Sequence, residues 1–353
     1  MTDKPWLAHY DKGVPQTIDI PQAPLFHFLD ESARKYPDRA CTIFKGAVIT
    51  YKEMNELSDR IAAALVNMGV KKGDRVGIFM PNTPQFVMAY FGILKAGGVV
   101  VATNPLYTPH EIEHQANDAG IEVMFVMTNF YNTIKKAQPN TKIKKVIVTN
   151  LKETLPPVLR VLFTLLREKK GGFHIDKNLP DGDVWMQDLL GNYKSAARPN
   201  AQVGPDDTAL FQYSGGTTGV SKGAVALHRN IVANTLQIRS WMTVLEEGKE
   251  IVLMGIPLFH VYGMVAGMNF AMSTGATMVM VPNPRDLKDV LDNIQKYKAT
   301  IFPGVPALYN GINNHPDVKA GKYDLSSVKA CISGSAPLLR ETKETFEKLS
   351  GGK

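Results

Sequence analysis

The sequence predicts an α/β protein built as two α/β layers that share one large body. Three observations lead there. Short unbroken apolar runs alternate with stretches of helical period, the pattern of parallel strands covered on both faces. Two segments, Thr50 to Glu53 and Thr108 to Glu111, carry the Thr-x-x-Glu spacing that opens a helix. The chain has 353 residues, 44% hydrophobic and 21% charged, enough apolar mass to close a large core.

The elements follow in order. The helix after Thr50 lines up Met54, Leu57, Ile61, Ala64 and Leu65 and closes near Gly69. RVGIFM at 75–80 reads as a strand, 84–97 as a helix and VVVAT at 99–103 as a strand. Thr108 opens a helix with Pro109 at its first position, ending near Gly120. IEVMFVM at 121–127 and KVIVT at 145–149 are strands with a helical stretch between them. After residue 207 come strand ALFQY, a strand–loop–short helix–strand unit over 251–281, and a helix over 286–298. Strand TIF, helix PALYNGI, strand VKACIS and a helix from Pro337 complete the pattern. Residues 251–284 contain no Asp, Glu, Lys or Arg, which raises a membrane span. Gly255, Pro257, Gly263, Gly267 and Gly275 divide that stretch into buried pieces instead.

Residues 151–205 differ from the rest. LPPVLRVLFTLLREKK predicts a helix from Pro156 or Pro157, too short to span a bilayer at about 1.5 Å per residue. It reads either as a basic amphipathic helix lying on an anionic membrane over 156–170, or as a helix packed on its own domain. Residues 171–206 read as a connecting loop with one apolar turn near 185–190.

The net charge is +7, but the basic residues are scattered, with no aromatic-interleaved stripe, which argues against a nucleic-acid partner. Two distant cysteines, Cys41 and Cys331, make neither a disulfide framework nor a Cys-rich metal site. No apolar leader core is visible near residue 1, so a cytoplasmic setting is expected, extended to the inner membrane face if the 156–170 helix docks there.

The sharpest local feature is YSGGTTGVSKG, Tyr213 to Gly223, placed after strand ALFQY. Glycines let a backbone approach an anion, and consecutive N–H groups form a nest for it. Ser214, Thr217, Thr218 and Ser221 add hydroxyl donors and Lys222 a positive charge. The Walker pattern is absent, because no lysine directly follows the last glycine of the turn with Ser or Thr after it. The plain alternative is a flexible Gly/Ser/Thr linker.

QYSGGTTGVSKG is similar to the phosphate-binding loop of the adenylate-forming superfamily, which includes acyl-CoA synthetases, luciferases and peptide-synthetase adenylation domains. NPLYTPHEIEHQANDAG, PLFHVYG, FPGVPALY and SGSAPL resemble further family segments, in the same order and over nearly the whole chain. The LFQYSGGTTG wording and the 155–170 insert look most like bacterial long-chain fatty acyl-CoA ligases. The resemblance implies a large N-terminal adenylation domain over 1–353, with interleaved subdomains at 70–206 and at 20–69 plus 207–350.

The implied reaction joins a fatty acid to ATP as an acyl-adenylate, then to coenzyme A. By the resemblance, Ser214, Gly215, Gly216, Thr217, Thr218, Gly219 and Lys222 hold the nucleotide phosphates, and a loop hydroxyl, Ser214 or Thr217, lies near Mg²⁺. Gly334, Ser335, Ala336 and Pro337 flank adenine. His260 sits at the acyl-adenylate pocket as a catalytic group beside Lys222. Tyr262, Gly263, Met264 and Val305 touch the acyl substrate, with Val265 and Met268 as further apolar candidates. In the family a metal-holding glutamate, a ribose-binding aspartate and a small domain with the adenylation lysine follow the matched segments; none occurs in these 353 residues, so the isolated chain is expected to turn over little. Oligomeric state is open, with a homodimer allowed. The alternatives are an aryl-CoA or acyl-AMP ligase, and a non-catalytic nucleotide- or acyl-binding subunit completed by a partner chain.

Overall fold

The computed structural model describes residues 4–180, 182–213 and 221–352. Its strands are β1 Ala40–Phe44, β2 Ala47–Thr50, β3 Arg75–Phe79, β4 Val99–Ala102, β5 Val123–Met127, β6 Lys145–Thr149 and β7 Val184–Trp185. They continue with β8 Thr208–Tyr213, β9 Gly223–Leu227, β10 Ile251–Met254, β11 Thr277–Met280, β12 Ile301–Gly304 and β13 Ala330–Ser333. They form two sheets, one ordered β13-β12-β10-β11-β1-β2 and the other β7-β6-β5-β3-β4-β8-β9. All neighbours are parallel except β1 with β2 and β8 with β9.

This is the two-layer α/β body expected from the alternating pattern, and both capping boxes form. The Thr50 side chain accepts from Glu53 N–H, and Thr108 does the same for Glu111. Sheet membership differs from the sequence grouping at one place. β8 and β9 join the sheet of residues 75–185, because Leu210 pairs in parallel with Val100 of β4. The sequence grouping had placed everything from 207 onward with residues 20–69.

The Pro84–Lys95 helix is buried along its whole length and lies against the Tyr51–Asn67 helix. Their close approach needs Gly92, where an added Cβ would come 2.3 Å from Ile61. Lys95 ends that helix wholly buried, donating to Asn55, Ser58 and Asp59, and burial lowers its pKa to about 8. Arg198 reaches the same cluster, pairing with Asp30 and Asp59, and so anchors the irregular connection before β8.

Distant parts of the chain meet around β1 and β11. Thr42 pairs with Met278 in parallel, and the Tyr51 hydroxyl donates to the Ala276 carbonyl at 2.6 Å. The charge-free stretch 251–284 folds as β10, a π-helix Gly263–Asn269, a short helix Phe270–Thr274 and β11. Among the described residues no helix is long and apolar enough to cross a membrane. The last helix begins at Arg340 rather than Pro337, because Leu339 stays extended as its cap.

The Pro157–Leu166 helix contains no buried residue. It is fastened at its edges rather than packed into the core: Phe163 meets Phe173 edge-on, and Arg160 pairs with Glu153.

Candidate functional site

Parallel strands deliver their C-terminal ends to one edge, and open α/β sheets take ligands there. In the second sheet that edge carries the connection after β8. Tyr213 pairs with Gly223 across the antiparallel β8–β9 register, so residues 214–222 join two adjacent strands. Ser214, Gly215, Gly216, Thr217, Thr218 and Gly219 lie outside the described residues, and with them the hydroxyl assigned to Mg²⁺. The two ends of the connection are described. Tyr213 lies over Gly223, where a Cβ would come 2.9 Å from the ring, and its hydroxyl donates to Asp118 Oδ2. His114 Nε2 lies 3.0 Å from the Ser221 carbonyl and donates to it. The Pro109–Ala119 helix therefore holds both ends through His114 and Asp118, one turn apart. Lys222 follows Ser221 and is exposed. The sequence reading named neither His114 nor Asp118; their four-residue spacing on a capped helix was the available signal.

In the other sheet the same edge carries the loops after β10, β12 and β13. Gly263 closes the first loop, since a Cβ there would sit 2.1 Å from the Pro257 carbonyl oxygen. His260 Nδ1 accepts the Tyr262 N–H at 3.2 Å. Packing around this otherwise exposed ring lowers its proton affinity, so the imidazole is neutral at pH 7 with its proton on Nε2. That leaves Nε2–H as a donor suited to an anionic oxygen. The Tyr262 hydroxyl lies 2.6 Å from the Ile332 carbonyl and 3.0 Å from that of Gly304, its proton shared between two strands. Its ring covers Gly334, where a Cβ would come within 3.0 Å. The histidine-bearing segment and the Gly334 segment, far apart in sequence, are thus in contact.

Ser335 has φ 70°, a left-handed conformation uncommon outside glycine, and Ser335, Ala336 and Pro337 are exposed. The hydroxyl of Ser333, just before them, is buried and finds no partner among the described residues. Val305 is half-buried at the start of the Pro306–Asn314 helix. Met264, Val265 and Met268 instead lie inside the main core, which is the ordinary packing role for such residues.

Asn82, after β3, joins the two edges. Its Nδ2 donates to the Met254 and Ile256 carbonyls at 3.1 and 2.8 Å, and its Oδ1 accepts Leu258 N–H at 2.7 Å. It is 3% exposed. Nothing in the turn Met80–Pro81–Asn82–Thr83 distinguishes this asparagine from a plain turn residue.

Larger open grooves lie elsewhere. One of about 690 Å³ runs between residues 12–19 and the His228–Trp241 helix, and one of about 470 Å³ lies at the opposite, N-terminal ends of β3, β4 and β8. Neither is lined by a nominated residue, and strand polarity is the firmer guide here. Among the described residues no three His, Cys, Asp or Glu side chains cluster as a metal site.

Fold and site together define an α/β protein in which two mostly parallel sheets bring the Lys222 connection and the His260 loop to the C-terminal ends of their strands. The chain belongs to the AMP-binding enzyme family, whose profile matches residues 29–353. It is 38% identical over all 353 residues to a long-chain-fatty-acid–CoA ligase of Bacillus subtilis, and spans 62% of that protein. It is 34% identical over 352 residues, 99% of the chain, to a ligase of the same description from Escherichia coli O157:H7, again spanning 62% of it. The chain therefore spans under two thirds of the length of these relatives. A crystal structure of an anthranilate CoA ligase with anthranoyl-AMP shares the fold, at TM-score 0.79 and 22% identity, over 95% of this chain and 60% of that one.

Proposed function

We propose that this chain supplies the nucleotide- and acid-binding domain of an ATP-dependent ligase that activates a long-chain fatty acid as its adenylate and passes it to coenzyme A. The observation that carries the reading is the shared edge: Asn82 fastens the His260 loop to the end of β3, in the sheet that also bears the Lys222 connection. Such a reaction needs no protein nucleophile, because the substrate carboxylate attacks phosphorus. The protein positions the reactants and stabilises charge on phosphate oxygens. In this reading Lys222 and residues 214–219 face the triphosphate, and His260 Nε2–H faces the acyl-phosphate oxygens. Gly334 to Pro337 border adenine, and Tyr262, Gly263 and Val305 border the acyl group. Ser214 would be the protein hydroxyl toward a Mg²⁺ ion carried by the ATP phosphates, which would offset their negative charge. The long-chain acid is favoured over an aryl acid by the two curated ligases above.

The test is acid-dependent ATP–pyrophosphate exchange, run with saturated fatty acids of increasing length and with benzoate. The chain is assayed alone and joined to a C-terminal portion taken from the Bacillus subtilis ligase. Alone, it is expected to bind ATP weakly at best and to make almost no thioester. In the joined enzyme, exchange is expected to rise with chain length, and Lys222→Ala to lower it about 10²–10³-fold. Preference for benzoate would move the substrate to an aryl acid, and unchanged exchange in the lysine variant would remove Lys222 from the phosphate site.

A further inference from the structure

The Pro157–Leu166 helix is an amphipathic helix with its apolar side turned outward. Val158, Val161, Leu162, Leu165 and Leu166 are 72, 59, 45, 74 and 66% exposed, and at about 100° per residue they fill one continuous face. On the opposite side Arg160 and Thr164 are also exposed, and only Phe163 is half-buried. There Arg160 pairs with Glu153, and the Phe163 ring lies 5.3 Å from that of Phe173. The turn after the helix is pinned by Glu168, which is buried between Lys152 at 2.6 Å and the Asn150 amide at 3.0 Å. The helix is thus tied to the body only through Phe163, the Arg160–Glu153 pair and the turn at Glu168, and its apolar face stays outside.

Charge and size say what covers it. Both acids of the segment, Glu153 and Glu168, are already paired. Arg167, Lys169 and Lys170, at the end of the helix, are exposed and carry no ion pair among the described residues. A large apolar face continued by three free cations fits an anionic, apolar surface and repels a basic one. The helix is about 15 Å long and 10 Å wide, so it would bury on the order of 150 Å² per partner, far below the roughly 800 Å² of a stable protein pair. A second copy of the chain is thus a poor occupant. Ten residues are also too few to span a bilayer, but suit a helix lying in the headgroup region.

We propose that this helix and the basic turn behind it dock the protein on the surface of an anionic lipid bilayer, with Val158 and Leu165 inserted and Arg167, Lys169 and Lys170 at the headgroups. The proposal does not depend on the enzymatic reading.

The experiment is flotation of the 353-residue chain with vesicles of phosphatidylglycerol in phosphatidylcholine, and with phosphatidylcholine alone. Two variants accompany it, Val158→Ser with Leu165→Ser, and Arg167→Gln with Lys169→Gln and Lys170→Gln. All five positions are exposed, so circular dichroism and melting should match the parent. The parent should float with the anionic vesicles, less so at high salt, and poorly with the neutral ones. The serine variant should stay in solution. The glutamine variant should lose on the order of a hundredfold in partition. The proposal is overturned by a parent that ignores anionic vesicles, by a serine variant that floats like the parent, or by equal binding to both lipids. Sedimentation velocity gives a further check: a concentration-dependent dimer abolished by the serine variant would assign the face to a second copy and overturn it equally.

Discussion

At His228 the Leu25 N–H donates to ring Nδ1 at 2.9 Å, a bond that exists only while that nitrogen is unprotonated. The residue is 1% exposed, and burial lowers its pKa to about 4, against an opposing pull from Asp207. The unfolded chain has an ordinary histidine near 6.5, so it takes up the proton first as pH falls. The stabilisation is complete above that value and is lost as pH drops from about 6.5 to 4, amounting to about 3 kcal/mol. Denaturant unfolding at pH 7 and pH 4.5 should show the parent losing about 2–3 kcal/mol more than His228→Asn, whose amide oxygen can accept the same bond. Equal losses would show that this ring is not the group responsible. Lys222 is a contrasting case. Its position after a glycine- and hydroxyl-rich run makes it a candidate from sequence alone, whereas His228, His114 and Asp118 matter through partners that no local pattern announces.

Among the elements, the loop–π-helix unit after β10 is the most constrained. Gly263 begins the π-helix with its α-carbon against the Pro257 carbonyl, 2.1 Å from where a methyl group would sit. Gly263→Ala should therefore force the loop open, lower stability by about 2–4 kcal/mol and displace His260. Chemical denaturation and the titration of the His260 ring by NMR would read this. An alanine variant with both unchanged would mean the loop has slack that the packing does not suggest. Elements were legible where a strong local signal existed. The two threonine capping boxes and the apolar runs of β3, β4 and β5 are examples. β9 escaped notice because GAVAL is short and built of small residues, and β1 and β2 because their five and four residues sit among turn signals. For the Pro157–Leu166 helix the amphipathic period was readable, but not the direction in which its apolar face points; that depends on Phe173, Glu153 and Lys152.

For the whole molecule, the two-sheet body followed from the alternation of strands and helices, while the sheet partners did not. A parallel strand finds its neighbour by crossover geometry, so nothing in ALFQY says that it lies beside β4. Asn82 is the clearest link between sheets, with three hydrogen bonds made across the junction. Asn82→Ala would strand two carbonyls and one N–H in a dry interior, and is expected to cost about 2–4 kcal/mol. Tryptophan fluorescence and far-ultraviolet dichroism should fall in one shifted transition if the sheets unfold together. Separate transitions, or no shift, would show that the junction does not couple them.

The parallel pairing of β1 with β11 has a consequence for how the chain is made. Ala40–Phe44 cannot meet Thr277–Met280 until more than two hundred further residues have been synthesised. At about 5–20 residues per second that is a wait on the order of 10–50 s, during which β2 and the Pro84–Lys95 helix are already at hand but the β1 edge that β11 will cover has no strand beside it. Long-range closure of this kind slows folding and exposes sticky surface. Newly made chains emerging from the ribosome are therefore expected to lean on chaperones until β11 appears, and the N-terminal strand is the segment a holdase would grip.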